Sequence, residues 1–204
     1  MSGEVVLVGG LWVPAAIMLW MGARLARAGY RVHRFGYSGR DPLEDNLERL
    51  ARFARSSCAG AAHFVGHSLG GVLIHDVLQR ESRLQAGRVV LVGAPVRGSL
   101  AGRRLGAAGI GRWMLGGSRA RWQACEARWR RPEALGVIAG TRPFGLGRLL
   151  GALPGANDGV VLVDETGVDG MSARVLVREA HSALAVSPNV ASLTERFLRR
   201  GSFA

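Results

Sequence analysis

The sequence predicts an α/β protein, a mainly parallel sheet of about six strands with helices on both faces. Three observations carry that expectation. Short apolar runs alternate with segments of helical period along the chain, and such repetition builds parallel sheets covered on both sides. Gly, Pro and polar clusters interrupt the runs where turns are needed. With 204 residues, 48% of them apolar, the chain is long enough for one domain, 1–204, with a substantial core. No internal repeat or linker divides it.

In order, Glu4–Val8 reads as a buried strand. Pro14–Ala28 reads as a helix, with Pro at its start and Gly29 at its end. Tyr30–Phe35 is the next strand. Pro42–Arg55 is an amphipathic helix, with Leu43, Leu47, Leu50 and Phe53 facing inward. Ala61–Val65 is a strand. The helix after it, to about Arg80, sets Leu69, Val72, Leu73, Asp76 and Val77 at helical spacing. Arg88–Gly93, Glu133–Ala139 and Arg174–Arg178 are further strands. A helix over 188–199 follows, starting near Pro188, with Val190, Leu193 and Phe197 on one side.

The chemistry starts at Gly66-His67-Ser68-Leu69-Gly70-Gly71, directly after the Ala61–Val65 strand. G-x-S-x-G between a strand and a helix is a nucleophile elbow, a sharp turn that exposes the Ser68 hydroxyl at the top of a sheet. Gly66 and Gly70 leave room where a Cβ would clash with neighbouring strands. A serine needs a base to take its proton. His181, just beyond the Arg174–Arg178 strand, stands where that base must be. His33 and His63 lie inside strands, and His75 lies two turns into a helix. His67 is expected to point away from the Ser68 side. The base needs an acid to fix its tautomer. Asp158, in the turn-rich Pro154–Gly159 loop, is preferred, with Asp164 and Asp169 as rivals and an ordinary capping turn as the plain alternative. The order Ser…Asp…His is one of those on which such triads are built. An oxyanion hole would take the N–H of Leu69 and that of Leu11, with Trp12 second, from the loop after Gly9-Gly10.

Together, Gly66–Gly71, Val-Gly-Ala-Pro-Val-Arg-Gly-Ser (92–99), Asn157-Asp158-Gly159-Val160-Val161 and the late His181 resemble the α/β-hydrolase superfamily. Within it, the chain is similar to small bacterial lipases and esterases and to the lipase-like domain of GPI inositol-deacylases, from Glu4 to about Leu198. The resemblance implies a minimal α/β-hydrolase fold lacking the first two strands of the full sheet. It implies ester hydrolysis by Ser68, Asp158 and His181, with Leu11 and Leu69 as oxyanion donors and no metal or organic cofactor. One departure is that such lipases carry His-Gly after the first strand where this chain has Gly9-Gly10.

The formal net charge is +12, and every basic residue is Arg. The lack of Lys points to a coding bias more than to a built basic patch, so no nucleic-acid partner is expected. Cys58 and Cys125 show neither disulfide nor metal-ligand spacing, which suits a reducing compartment. Residues 5–23 carry no charge, but Gly9, Gly10 and Pro14 break a spanning helix. Glu4 stands where a signal peptide would be basic. A cytoplasmic protein is therefore expected, with peripheral membrane contact left open. The Arg- and Trp-rich stretch 97–131 reads either as a cap or acyl-binding wall over the strand ends or as a solvated helix pair. The expected activity is a serine esterase or lipase acting on a small ester or lipid. The alternatives are an acyltransferase with the same triad and a binding module, including a basic nucleic-acid or anionic-membrane binder.

Overall fold

A computed structural model describes residues 3–11, 15–107, 116–145 and 151–204. Its centre is a six-stranded sheet: β1 (Glu4–Val8), β2 (Arg31–Phe35), β3 (Ala62–His67), β4 (Ala86–Val92), β5 (Leu135–Gly140) and β6 (Ala173–Val177). The spatial order is β2-β1-β3-β4-β5-β6, and each neighbouring pair is parallel. All six strands therefore end on the same side, where open α/β sheets bind their ligands.

The inner strands are apolar on both faces because each face is covered. Successive residues of a strand point to opposite sides. Val6, Val8, Phe64 and Leu91 join one core with Leu47, Leu50, Leu73 and Val77 of helices α2 (Leu43–Ser57) and α3 (Leu69–Arg80). Val5, Leu7, Val65 and Val90 join a second core with Met21 and Leu25 of α1 (Ala15–Arg27) and Val190 and Phe197 of the C-terminal helix. Glu44 and Asp45 in the first turn of α2 and Arg55 in its last complement the helix dipole.

After β4 come α4 (Leu100–Ala107) and a 3₁₀ turn, Gly116–Trp122. A second 3₁₀ turn, Asp164–Thr166, precedes β6. The chain then forms α5 (His181–Leu184) and α6 (Pro188–Arg200). Ser187 caps α6 by accepting the Val190 N–H, Pro188 occupies its first turn, and Gly201 at φ 77° closes it.

Differences from the sequence reading are local. The elbow strand runs on to His67 rather than stopping at Val65, so Ser68 stands directly between strand and helix. Trp122 and Trp129 are core residues, and Arg121 pairs with Asp76. Trp12, Pro14 and residues 108–115 of the 97–131 stretch lie outside the described residues.

Candidate active site

Ser68 is the only non-glycine among the described residues with positive φ (φ 54°, ψ −126°). β3 ends one residue before it and α3 begins one residue after, so the reversal falls on Ser68 alone. Such backbone costs about 1–3 kcal/mol and persists only where its surroundings enforce it. Here they do. The Ser68 N–H donates to the Val92 carbonyl at 2.9 Å, and the Ser68 carbonyl accepts the N–H groups of Gly71 (3.0 Å) and Val72 (3.3 Å).

The elbow glycines serve this close approach. A Cβ on Gly66 would stand 2.5 Å from the Gly71 Cα, and one on Gly71 would stand 2.5 Å from the Ala94 Cβ. On Gly70 it would lie 2.3 Å from the carbonyl oxygens of both Val8 and Gly9. The start of α3 thus rests against the end of β1.

His181 opens α5, where β6 delivers it to the same end of the sheet. Its Nε2 is 2.9 Å from the Ser68 Oγ, and its Nδ1 is 2.7 Å from the Asp158 Oδ2. An ionised carboxylate only accepts, so Nδ1 carries the ring proton and Nε2 presents its lone pair to the serine O–H. Asp158 is 1% exposed. Its Oδ1 accepts the N–H groups of Val160 (3.0 Å) and Val161 (2.7 Å), and its carbonyl accepts the His181 N–H at 2.9 Å. Asn157 shapes the turn by accepting the Gly159 N–H and donating to the Gly155 carbonyl. Gly159, at φ 94°, passes so near Phe144 that a Cβ would lie 2.4 Å from its carbonyl oxygen. This is why the loop reads Asn-Asp-Gly. The rivals lie elsewhere: Asp164 is exposed in a 3₁₀ turn, and Asp169 pairs with Arg97.

Sequence reasoning missed three contributors. His67 does not point away from the site. Its Nε2–H donates to the His181 carbonyl at 3.0 Å, and the two rings lie 4.9 Å apart. Burial, helped by the neighbouring His181, pushes the His67 pKa down to about 3, so the ring stays neutral. Its position inside the motif is variable, so the spacing carried no signal. Gly93 (φ 56°), just after β4, and Gly140, the last residue of β5, lie beneath the triad. A Cβ on Gly93 would meet the Leu184 side chain at 2.7 Å, and one on Gly140 would meet the Asp158 Cβ at 2.8 Å. Both glycines were visible at strand ends, but the side chains they clear come from distant loops.

Leu69, the first residue of α3, is buried behind Ser68. Leu11 follows β1 in a turn, its side chain packed against Gly39. The Tyr37 hydroxyl donates to the Gly9 carbonyl at 3.0 Å and steadies that turn. A cleft of about 530 Å³ opens beside it, lined by Gly9, Gly10, Met18 and Tyr37. A second of about 280 Å³ borders the acid loop at Pro143, Leu153 and Asn157.

Among solved structures, the chain is similar to the mature lipase BlEst2 of Bacillus licheniformis. The TM-score is 0.75 at 16% identity, over 98% of this chain and 91% of that one. The fold is that of the α/β-hydrolases. A metagenomic carboxyl esterase, MGS0156, matches at TM-score 0.66 and 19% identity, over 88% of this chain and 64% of that one. The pyrethroid hydrolase PytH matches at TM-score 0.66 and 14% identity, over 98% and 99%. No protein-family model and no curated protein matches the chain. The α/β-hydrolase likeness is therefore one of three-dimensional form, and within that form Ser68, His181 and Asp158 make a Ser-His-Asp arrangement.

Proposed function

We propose that this protein is a serine hydrolase of carboxylic esters, with Ser68 as nucleophile, His181 as general base and Asp158 as the orienting acid. The observation that carries the reading is the unbroken chain Ser68 Oγ–His181–Asp158, at 2.9 and 2.7 Å, on a strained elbow. Ser68 attacks the ester carbonyl as His181 Nε2 takes its proton. The oxyanion that forms is held by the N–H groups of Leu69 and Leu11. The contact between the start of α3 and the end of β1 supports that pair. The protonated His181 passes its proton to the leaving alcohol. A water deprotonated by His181 then splits the acyl-enzyme, and Ser68 recovers its hydrogen.

The stretch 97–131 serves as an acyl-binding wall in this reading. Gly117 N–H donates to the Arg40 carbonyl at 3.3 Å, so the segment leaving β4 reaches the loop after β2. That course supports a wall across the strand ends. Two of its arginines are held inside the protein: Arg121 with Asp76, and Arg131 with Glu133. This pairing favours an ester or lipid substrate over a nucleic acid. No helix among the described residues is long and apolar enough to cross a membrane. A cytoplasmic site of action fits the sequence reading.

The test is a fluorophosphonate probe followed by p-nitrophenyl esters of increasing acyl length. Adduct formation on Ser68, absent in Ser68→Ala, is the expected result. Folded protein that neither labels nor hydrolyses any ester of the series overturns the proposal. Added alcohols accelerating product release would shift the assignment to acyl transfer.

A further inference from the structure

The opposite end of the sheet carries a second cluster of reactive side chains. Glu4 opens β1, His33 lies in the middle of neighbouring β2, and Cys58 follows the last residue of α2. One oxygen of Glu4, a ring nitrogen of His33 and the Sγ of Cys58 all fall within 4.8 Å of one another. His33 Nε2 is 3.1 Å from Glu4 Oε1, and the Ala59 N–H donates to Glu4 Oε2 at 2.7 Å. The second bond ties the chain just after Cys58 to the start of β1. All three residues are half-buried, so their donor atoms are held by the fold yet reachable from solvent.

We propose that Glu4, His33 and Cys58 form a binding site for a borderline-soft divalent cation, zinc being the best fit. A thiolate, an imidazole and a carboxylate are the donor set that zinc and cobalt take, and three protein ligands leave a fourth position for water. Zinc bond lengths of about 2.0–2.3 Å put tetrahedral ligand atoms roughly 3.3–3.6 Å apart. The Glu4–His33 separation is already close to that, and Cys58 needs to close by at most about 1.2–1.5 Å. The Ala59 N–H bond fixes one Glu4 oxygen and leaves the other turned toward His33, so the carboxylate is already oriented for an ion between them. Binding would release the thiol proton and replace the His33–Glu4 hydrogen bond by two metal bonds. Arg31, 3.9 Å from Glu4 and largely exposed, is free to swing aside.

The three ligands come from the start of β1, the middle of β2 and the residue just past α2. The ion would clamp the start of β1 to β2 and to the end of α2. Val8, at the other end of β1, abuts the elbow, roughly 13 Å away along the strand. The clamp is therefore structural, and it takes no part in ester hydrolysis.

The test is titration of the purified protein with Co²⁺ at neutral pH. One equivalent should raise a thiolate-to-cobalt charge-transfer band that survives Cys125→Ser and vanishes in Cys58→Ser. His33→Gln should weaken binding at least tenfold, and Zn²⁺ should slow alkylation of Cys58 at least tenfold in the Cys125→Ser protein. The Cys125→Ser protein keeps all three ligands, so its spectrum decides even where a ligand variant folds poorly. No charge-transfer band in that protein, or unchanged alkylation with Zn²⁺, overturns the proposal. So does unchanged Co²⁺ affinity in a folded His33→Gln protein.

Discussion

Ser68 is asked for two things that oppose each other: a backbone shape that L-residues avoid, and a hydroxyl at a fixed point. Ser68→Gly separates them. Glycine adopts φ 54° without strain, which is worth about 1–3 kcal/mol, less about 0.5–1 kcal/mol for its freer unfolded chain. We expect the variant to gain about 1 kcal/mol in urea unfolding while ester hydrolysis falls by about 10⁴–10⁶. A loss of stability would mean that the elbow is not strained. His67 gives a subtler case. His67→Phe keeps a flat ring of similar size in this buried site but removes the donor to the His181 carbonyl. One such bond is worth about 0.5–1.5 kcal/mol. Steady-state kinetics should show kcat lowered about tenfold with KM little changed, because the lost bond orients the base and touches no substrate. An unchanged kcat would make His67 mere filling. The sequence exposed Ser68, His181 and Asp158 because each is a reactive type in a turn or loop that follows a strand. It hid His67, whose role depends on a carbonyl 114 positions away.

At the scale of elements, the seat of α3 on β1 decides the site, because it sets the helix start against the turn that holds Leu11. Gly70 makes that contact. A Cβ there would lie 2.3 Å from two backbone carbonyl oxygens, and backbone cannot give way as a flexible side chain can. Gly70→Ala should therefore cost at least about 1–3 kcal/mol in chemical denaturation and lower kcat as well. Gly36→Ala is the control. A Cβ there meets nothing within 4 Å, and its stability should change by no more than about 0.5 kcal/mol. Equal effects at the two positions would refute the close-packing account. The alternation of strands and helices was legible because period and punctuation are local. The ends were less so: β3 passes Val65 because Gly66 and His67, read as turn residues, still pair with Leu91 and Val92. The stretch 97–131 was least legible. Trp122 and Trp129 give no periodic pattern, and only tertiary packing sends them into the core.

The whole molecule carries its charge unevenly against what it buries, and acid should reveal this. Two histidines have lowered pKa values: His67, buried and down to about 3, and His63, lowered by burial and by Arg88. Unfolded, each titrates near 6.5. Below that pH the unfolded chain binds protons that the native chain refuses, so stability present above pH 6.5 is lost as the pH falls toward about 3. A fully neutral buried His subtracts up to about 1.4 kcal/mol per pH unit within that window. Asp76 adds to the loss further into acid. Although burial opposes it, hydrogen bonds from His75 and Arg121 hold its carboxyl below the ordinary value. Glu165 works the other way, since burial raises its carboxyl and the native state takes up its proton first. The net charge of +12 grows in acid and adds self-repulsion, but salt screens that repulsion. It cannot rescue a proton forced onto a buried ring. Urea midpoints measured from neutrality to about pH 4 should fall steadily, and added salt should restore only part of the loss. In His67→Phe the unrescued part should shrink, because one refused proton is gone. A midpoint flat across that range, or a slope unchanged in His67→Phe, would mean that the His67 ring is not held neutral beside His181.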